Sequence, residues 1–167
     1  MMMNSVLTSS LILGVAVLLQ TTVGNWIAVA GVKPDIALVI LIFIAQKKGS
    51  MVAQITGFFT GLLEDLLSLS PLGFHSLMKS VIGYVYGLFR GNIFMDPIIT
   101  PVVLTVIGTI GKGLLAGIIG FIFIIPAATF RQFVGKIWIE VLFNAVLAPF
   151  LFALLRFVPM FKEKDFV

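Results

Sequence analysis

Long apolar runs fill most of this 167-residue chain, and short polar or proline-containing breaks separate them. A helix that crosses the ~30 Å hydrocarbon core of a bilayer needs roughly 20 mostly apolar residues. Six runs approach that length, so the pattern predicts an all-α bundle of six transmembrane helices that forms a single integral-membrane domain over residues 1–167. The predicted spans cover residues 5–23, 34–45, 50–69, 74–89, 97–125 and 133–158.

Proline positions support most of these boundaries. Pro34, Pro71, Pro97 and Pro126 all fall at proposed span ends, where a missing backbone N–H costs least. Pro149 lies inside the sixth span and predicts a kink there. The second span is short, and its start is the least defined boundary. Because the connections are short, consecutive helices are expected to pack antiparallel.

Composition agrees with a membrane protein. Hydrophobic residues make up 60% of the chain and charged residues 11%, against roughly 45–50% and 25% in soluble domains. The lack of cysteine excludes disulfides, thiolate metal ligands and a cysteine nucleophile. The net charge of +4 comes from Lys and Arg residues scattered at the ends of apolar runs, which indicates membrane topology rather than nucleic-acid binding.

The distribution of basic residues predicts the orientation. The first apolar run has no basic segment before it and further spans follow at once, so it is expected to be retained rather than cleaved as a signal. Basic residues favour the cytoplasmic side, and placing both termini there puts six inside against four outside. The inside set is Lys47, Lys48, Arg90, Arg156, Lys162 and Lys164, and the outside set is Lys33, Lys79, Arg131 and Lys136.

Glycines recur at a spacing that allows helices to approach closely. The pattern Gly-x-x-x-Gly occurs in the third span at Gly57 and Gly61 and again in the next two spans. In lipid this spacing lets two helix backbones come into contact. We interpret these glycines as internal packing positions, with an interface to a partner protein as the alternative. The further pairs are Gly83 with Gly87 and Gly113 with Gly117.

Charged residues within the fifth and sixth spans predict a buried ion pair. Lys136, Glu140 and Asn144 follow one another at four-residue spacing and form a polar strip on an apolar helix. Charges at membrane depth normally point inward and pair. Counting ~1.5 Å per residue from the connecting loop puts Lys112 within reach of Glu140. We predict a Lys112–Glu140 pair, with Glu140–Lys136 as the alternative, and favour a structural tie over a proton relay or ligand site.

The adjacent acids Glu64 and Asp65 do not by themselves indicate catalysis. Neighbouring residues on a helix diverge by about 100°, so the two carboxylates cannot converge on one atom. His75 is the one histidine, which leaves no zinc-ligand set, and it is expected to be an interfacial group at the start of the fourth span. Catalytic triads, phosphate-binding loops and dinucleotide-binding motifs are absent. The sequence therefore predicts no enzymatic activity, metal or cofactor.

The order of several motifs resembles one known family. The segments are Lys33-Pro34-Asp35, GFFTGLLEDLLS, PLGFHSL, IGYVYG and NAVLAP, and together they span residues 33–149. In this order and spacing they resemble MreD, the rod shape-determining membrane proteins of bacteria. The resemblance implies a non-enzymatic scaffold of the cell inner membrane that takes part in cell-wall elongation. It also implies a fold similar to the six-helix substrate-binding components of energy-coupling-factor vitamin transporters.

The same resemblance implies partners and functional positions. The main partner would be MreC, through which the assembly contacts the MreB filament, the RodA glycosyltransferase and its penicillin-binding transpeptidase. The residues that match recurring family positions are Gly57, Gly61, Asp65, Leu72, Gly73, Asn144 and Pro149. Glu64 and Lys112 match no family motif, and the expectations for them rest on membrane physics alone.

The two adjacent acids are expected to have different roles. Asp65 precedes a Ser-Pro-Gly break and is expected to face the bundle interior, capping or pairing with groups of the fourth or sixth span such as Lys79. Glu64 is expected to extend to the lipid headgroup region or to contact a partner.

Two other functions fit part of the pattern. A vitamin-binding component of an energy-coupling-factor transporter would also have six spans with polar outer ends. A proton- or ion-coupled carrier would use Lys112, Glu140 and Asp65, although the sequence contains no internal repeat beyond its small-residue spacing.

Overall fold

Six α-helices form the regular structure of the described residues. The computed structural model describes residues 2–22, 24, 26, 28–68, 70–91, 96–123, 127–158 and 161, with the backbone alone for 127–134. Apart from an isolated bridge between Val29 and Val32, the regular backbone within these ranges is helical. The helices are α1 (Met2–Thr22), α2 (Ile36–Lys48), α3 (Ser50–Leu67), α4 (Phe74–Leu88), α5 (Ile99–Ile122) and α6 (Ala127–Arg156).

Each predicted span overlaps one of these helices, which confirms the all-α prediction. The largest difference is at the start of α6, which begins at Ala127 rather than at residue 133. Ala127 and Ala128 are strong helix formers, and the polar residues after them do not interrupt a helix, so α6 begins well before its apolar run. Pro149 lies inside α6, which continues on both sides of it. The kink at this proline stays a prediction.

Helix α2 is the centre of the bundle. Ten consecutive residues, 37–46, are buried, and the helix packs against each of the other five. A helix that is apolar on every side is expected to be surrounded by protein. At 1.5 Å per residue, the 13 residues of α2 extend about 20 Å, whereas the 24 residues of α5 extend about 36 Å. The short central helix leaves a recess at its N-terminal end.

In the part of the chain that the structure describes, three helices are long and apolar enough to cross a membrane: α1, α5 and the part of α6 from Gly135 to Arg156. Large apolar side chains on these helices point outward, for example Leu11 in α1, Ile107 in α5 and Phe150 in α6. Lipid tails are as apolar as such side chains, so these faces suit an integral membrane protein. Crossing by all six helices stays a prediction.

An exposed aspartate caps α5 at the end of the helix opposite the recess. The Asp96 carboxylate accepts hydrogen bonds from the backbone N–H groups of Ile98 and Ile99, each at 2.9 Å. Hydrogen bonds to the charged form, from Ile99 and Ile98, lower the pKa of Asp96 from its ordinary value. Asp96 is a useful control residue because it has a capping role without burial.

Helices α3 and α4 pack closely through glycine. A side chain added at Gly57 would approach the Lys79 carbonyl oxygen at 2.6 Å, and one added at Gly83 would approach the Ala53 carbonyl oxygen at 2.5 Å. Gly61 and Gly87 meet the facing backbone in the same way. Their neighbours are His75 and Ser76 for Gly61, and Gly49 and Ser50 for Gly87. The prediction that these four glycines pack internally is therefore confirmed.

Substituting alanine for Gly61 is expected to destabilise the bundle. The added methyl group would collide with the backbone of His75 and Ser76, so α3 and α4 would have to separate. Overpacking of this kind costs typically ~1–3 kcal/mol. Gly111→Ala is the matched control, since nothing lies within 4 Å of its added carbon. Thermal unfolding of both variants in one detergent checks this, and equal midpoints would contradict the close packing.

Candidate functional site

Five charged residues from five parts of the fold meet inside the bundle. Asp35 precedes α2, Glu64 belongs to α3, Lys79 to α4, Lys112 to α5 and Glu140 to α6. All five are buried, and Lys79 is only 1% exposed. We call this set the charge cluster. Burying charges is unfavourable unless they pair, so the contacts among these residues determine whether the bundle can form.

The cluster alternates negative and positive groups along a continuous chain of contacts. Lys79 Nζ lies 2.5 Å from Glu64 Oε1 and 3.4 Å from Asp35 Oδ1. Lys112 Nζ lies 2.6 Å from Asp35 Oδ2 and 2.5 Å from Glu140 Oε1. Each ammonium therefore bridges two carboxylates, and Asp35 joins the two halves. The three shorter contacts are charge-assisted hydrogen bonds, which are among the stronger polar contacts in proteins.

Asp35 occupies the centre of this chain because it also begins α2. Its side chain caps the helix by accepting a hydrogen bond from the Leu38 backbone N–H at 2.9 Å. A carboxylate suits this position, since a helix N-terminus presents unpaired N–H groups and a partial positive charge. The short length of α2 places its N-terminus, and so Asp35, at the depth of Lys79 and Lys112 rather than at a surface.

Two amide side chains connect the cluster to α1 and to the backbone at the start of α2. Gln20 of α1 donates to Glu64 Oε1 at 2.8 Å and accepts from the Ala37 backbone N–H at 3.1 Å. Asn144 of α6 accepts from the Asp35 backbone N–H at 2.9 Å and donates to Thr109 at 3.1 Å. Polar contacts around the cluster therefore join all six helices.

The predicted contact between Lys112 and Glu140 is present. The alternative partner for Glu140, Lys136, is exposed, and the structure places its Nζ near Gly31 instead. Sequence reasoning did not find that Lys112 also binds Asp35. The signal was available, because Asp35 follows a proline and precedes an apolar run, as a helix cap does.

The expectation for Glu64 is wrong. It was expected at the headgroups or on a partner, but it is 7% exposed and binds Lys79 and Gln20. Helix α3 packs against α1, α2 and α4. The side chains of both adjacent acids therefore face the interior of the bundle, although they point to different neighbours. Lys79 was also counted among the outside charges that set topology, and its burial removes it from that count.

Asp65 faces the interior as predicted, but Lys79 is not its partner. The carboxylate accepts hydrogen bonds from the backbone N–H groups of Gly73, His75 and Ser76 at 2.9, 3.0 and 3.3 Å. It also contacts His75 Nδ1 at 2.8 Å and the Ser76 hydroxyl at 3.2 Å. Gly73 has a φ of +96°, a conformation that glycine adopts readily at this turn. Asp65 therefore caps α4 from the preceding helix.

Replacing Asp65 with leucine is expected to destabilise the chain strongly. Three backbone N–H groups at the start of α4 would lose their acceptor, and each unsatisfied buried donor costs ~1–3 kcal/mol. Asp65→Asn should lose less, because its amide oxygen still accepts. Asp96→Asn, at the exposed cap of α5, is the control and should change little. Thermal unfolding ranks the three variants, and Asp65→Leu unfolding like Asp96→Asn would contradict the capping role.

A polar recess opens onto the cluster at the N-terminal end of α2. Its volume is about 200 Å³. Three carboxylates of the cluster and Lys112 line it. Lys79 is not a lining residue, but it binds two of these carboxylates. The other lining residues are Gln20, Thr21, Lys33, Pro34, Leu67, Ser68 and His75. Within the described residues, no group of three or more acids or histidines has an arrangement that could hold a metal ion.

The other predicted positions are distributed around this region. Gly57 and Gly61 hold α4 against α3, next to the backbone of Lys79 and His75. Pro149 lies in α6 beyond Asn144. His75 is partly buried against Asp65, and its expected place at the membrane interface stays a prediction. Lys162 and Lys164, expected in the cytoplasm, lie outside the described residues, as does the side chain of Arg131.

Comparison with known proteins identifies a family that covers nearly the whole chain. The family model described as MreD, rod shape-determining protein MreD, matches residues 2–158. No curated protein and no solved structure matches the chain. The matched range contains every member of the charge cluster, and also Asp65 and the start of α4 that it caps. The resemblance predicted from motif order over residues 33–149 is therefore confirmed.

Proposed function

Because the chain belongs to the MreD family of rod shape-determining membrane proteins, we propose that it is a non-enzymatic scaffold of the bacterial cell-wall elongation complex. The family match over residues 2–158 carries this proposal. In this role the protein helps to maintain rod shape by holding other membrane proteins in place. It needs a fixed shape and an outer surface that suits neighbouring helices.

The charge cluster supports the first of these requirements. Its contacts join all six helices at one level of the bundle, so no helix can slide without breaking an ion pair or a buried hydrogen bond. Breaking a buried pair typically costs 3–5 kcal/mol, because an uncompensated charge remains. Charges turned inward also leave the outer faces apolar, as a surface that contacts lipid and membrane partners requires.

The proposed main partner is MreC, whose family has a single transmembrane helix and a periplasmic domain. Through MreC the assembly would contact the MreB filament, RodA and its penicillin-binding transpeptidase. We place the protein in the inner membrane with both termini cytoplasmic. Moving the buried Lys79 out of the topology count strengthens this orientation, because it leaves six basic residues inside against three outside. The three are Lys33, Arg131 and Lys136.

Affinity purification from the native bacterium tests the proposal. The tagged full-length protein is extracted in mild detergent, and both proteins and small molecules are identified by mass spectrometry. We expect MreC and the elongation enzymes to be recovered. A tagged, unrelated multi-pass protein expressed at the same level is the control for non-specific recovery.

Variants separate a specific complex from a general membrane association. Asn144→Leu removes the acceptor for the Asp35 N–H and the donor to Thr109, so it should distort the bundle and lower MreC recovery per molecule of bait. Asp96→Asn should leave recovery unchanged. Recovery of a vitamin or an ATP-driven transport module without MreC would overturn the scaffold proposal in favour of the transporter alternative.

A further inference from the structure

The recess above α2 contains unused hydrogen-bond acceptors. Glu64 and Glu140 both line it, and each is 7% exposed. Among the described residues, the partners of Glu64 bind its Oε1 atom, and Lys112 binds the Oε1 atom of Glu140. The second oxygen of each carboxylate has no partner there. Neither oxygen is fully enclosed by protein, so each can accept a hydrogen bond from a donor that enters the recess.

The charges of the cluster itself also do not balance. The cluster contains three carboxylates but two ammonium groups, which leaves one excess negative charge when all are ionised. Of the other charged or titratable groups that line the recess, His75 is engaged by Asp65, and Lys33 is exposed at the mouth. An unbalanced charge at membrane depth is unfavourable, so the inner part of the recess, beside the cluster and away from Lys33, favours a cation.

We propose that this recess binds a primary ammonium group, with Glu64 and Glu140 as its acceptors. A primary ammonium carries one positive charge and three N–H donors, so it would correct the charge of the cluster and can donate to the free oxygen of either carboxylate. A volume of about 200 Å³ accommodates a small organic ion together with water. The proposal is independent of the scaffold function, since it concerns the interior of the bundle.

The rim of the recess indicates which chemical group the rest of the ligand carries next to its ammonium group. Lys33 is exposed at the mouth and suits an anionic group next to the ammonium. Ethanolamine phosphate has this arrangement, either free or as the headgroup of phosphatidylethanolamine. Both sources share the same chemistry, and the experiment distinguishes them.

Ligand-induced stabilisation of the full-length protein tests the proposal. The melting temperature in detergent is measured with glycerophosphoethanolamine and with glycerophosphocholine, whose quaternary nitrogen has no N–H donor. The same comparison is made in nanodiscs of phosphatidylcholine with added phosphatidylethanolamine or phosphatidylglycerol. We expect the ethanolamine compounds to bind at least about tenfold more tightly than their choline counterparts, because only they can donate to the carboxylates.

Two variants identify the site. Glu140→Gln and Glu64→Gln retain side-chain shape while removing charge, and each should lower affinity for the ethanolamine probe about tenfold. Asp96→Asn, an exposed acid at the other end of α5, should bind like the wild type. Native mass spectrometry counts bound molecules on folded protein only, so a variant with reduced folded yield can still be assessed.

Each outcome gives a definite answer. A preference for ethanolamine that both glutamine variants lose supports the site. If the soluble probe binds, the headgroup chemistry alone is sufficient for recognition. If only the lipid in nanodiscs binds, the ligand comes from the bilayer. Equal stabilisation by ethanolamine, choline and glycerol headgroups overturns the proposal. Ethanolamine binding that both variants retain overturns it as well. Either result leaves the recovery of MreC, and so the scaffold proposal, unaffected.

Discussion

Lys79→Met is expected to cause the largest loss of folded protein among single substitutions of the charge cluster. Lys79 is the most buried of the five residues at 1% exposure, and it bridges Glu64 and Asp35. Its removal leaves three carboxylates with one ammonium group. Removing one partner of a buried pair typically costs 3–5 kcal/mol, which is a large part of the stability of an ordinary domain. The melting temperature and the monodisperse fraction in detergent measure the loss.

The control for this variant is a lysine with the same side chain but no burial. Lys33→Met, at the mouth of the recess, removes an exposed charge and should change the melting temperature little. If Lys79→Met and Lys33→Met unfold at the same temperature, the buried bridge does not stabilise the fold.

The second large effect is expected from Lys112→Met, which deprives both Asp35 and Glu140 of an ammonium partner. Glu140→Gln alone should be milder, because the amide oxygen can still accept from Lys112 and the cluster becomes neutral. In the double variant Asp35 still lacks Lys112, so part of the loss remains. A double-mutant cycle should therefore give a coupling of roughly 0.5–3 kcal/mol between Lys112 and Glu140, with the double variant still less stable than Glu140→Gln.

This cycle shows whether Lys112 is shared between two carboxylates or pairs with Glu140 alone. A simple pair would give a double variant no less stable than Glu140→Gln, because nothing would remain for Lys112 to neutralise. Strictly additive losses would show that Lys112 and Glu140 do not interact. The free energies come from unfolding in a mixed detergent series at fixed pH and salt.

The Lys112–Glu140 contact could be predicted because it depends on two adjacent helices. A short loop makes α5 and α6 antiparallel, and counting residues from that loop gives the depth of each charge. The Gly57 and Gly61 contacts could be predicted for a similar reason, since α3 and α4 are also consecutive. Local periodicity is sufficient where the partner is the next helix along the chain.

Contacts to α2 could not be predicted in the same way. Asp35 and Lys79 are 44 residues apart, and their meeting depends on how deep the short α2 lies in the bundle. The sequence indicated that the second span was short, but not that the five other helices surround it. Lys79 therefore looked like a topology charge. The burial of Glu64 was missed for the same reason, because its partner Lys79 was assigned to the outer surface.

A cryo-electron microscopy structure of the chain co-expressed with MreC would show both the packing of the charge cluster and the surface that the partner occupies. We expect a complex in which the MreC transmembrane helix lies on an outward apolar face. Inside the bundle, the Lys79 and Lys112 ammonium groups should each lie between two carboxylates, with Asp35 joining them. A complex in which these side chains are separated and face lipid, or a purified chain to which MreC does not bind, would contradict this expectation.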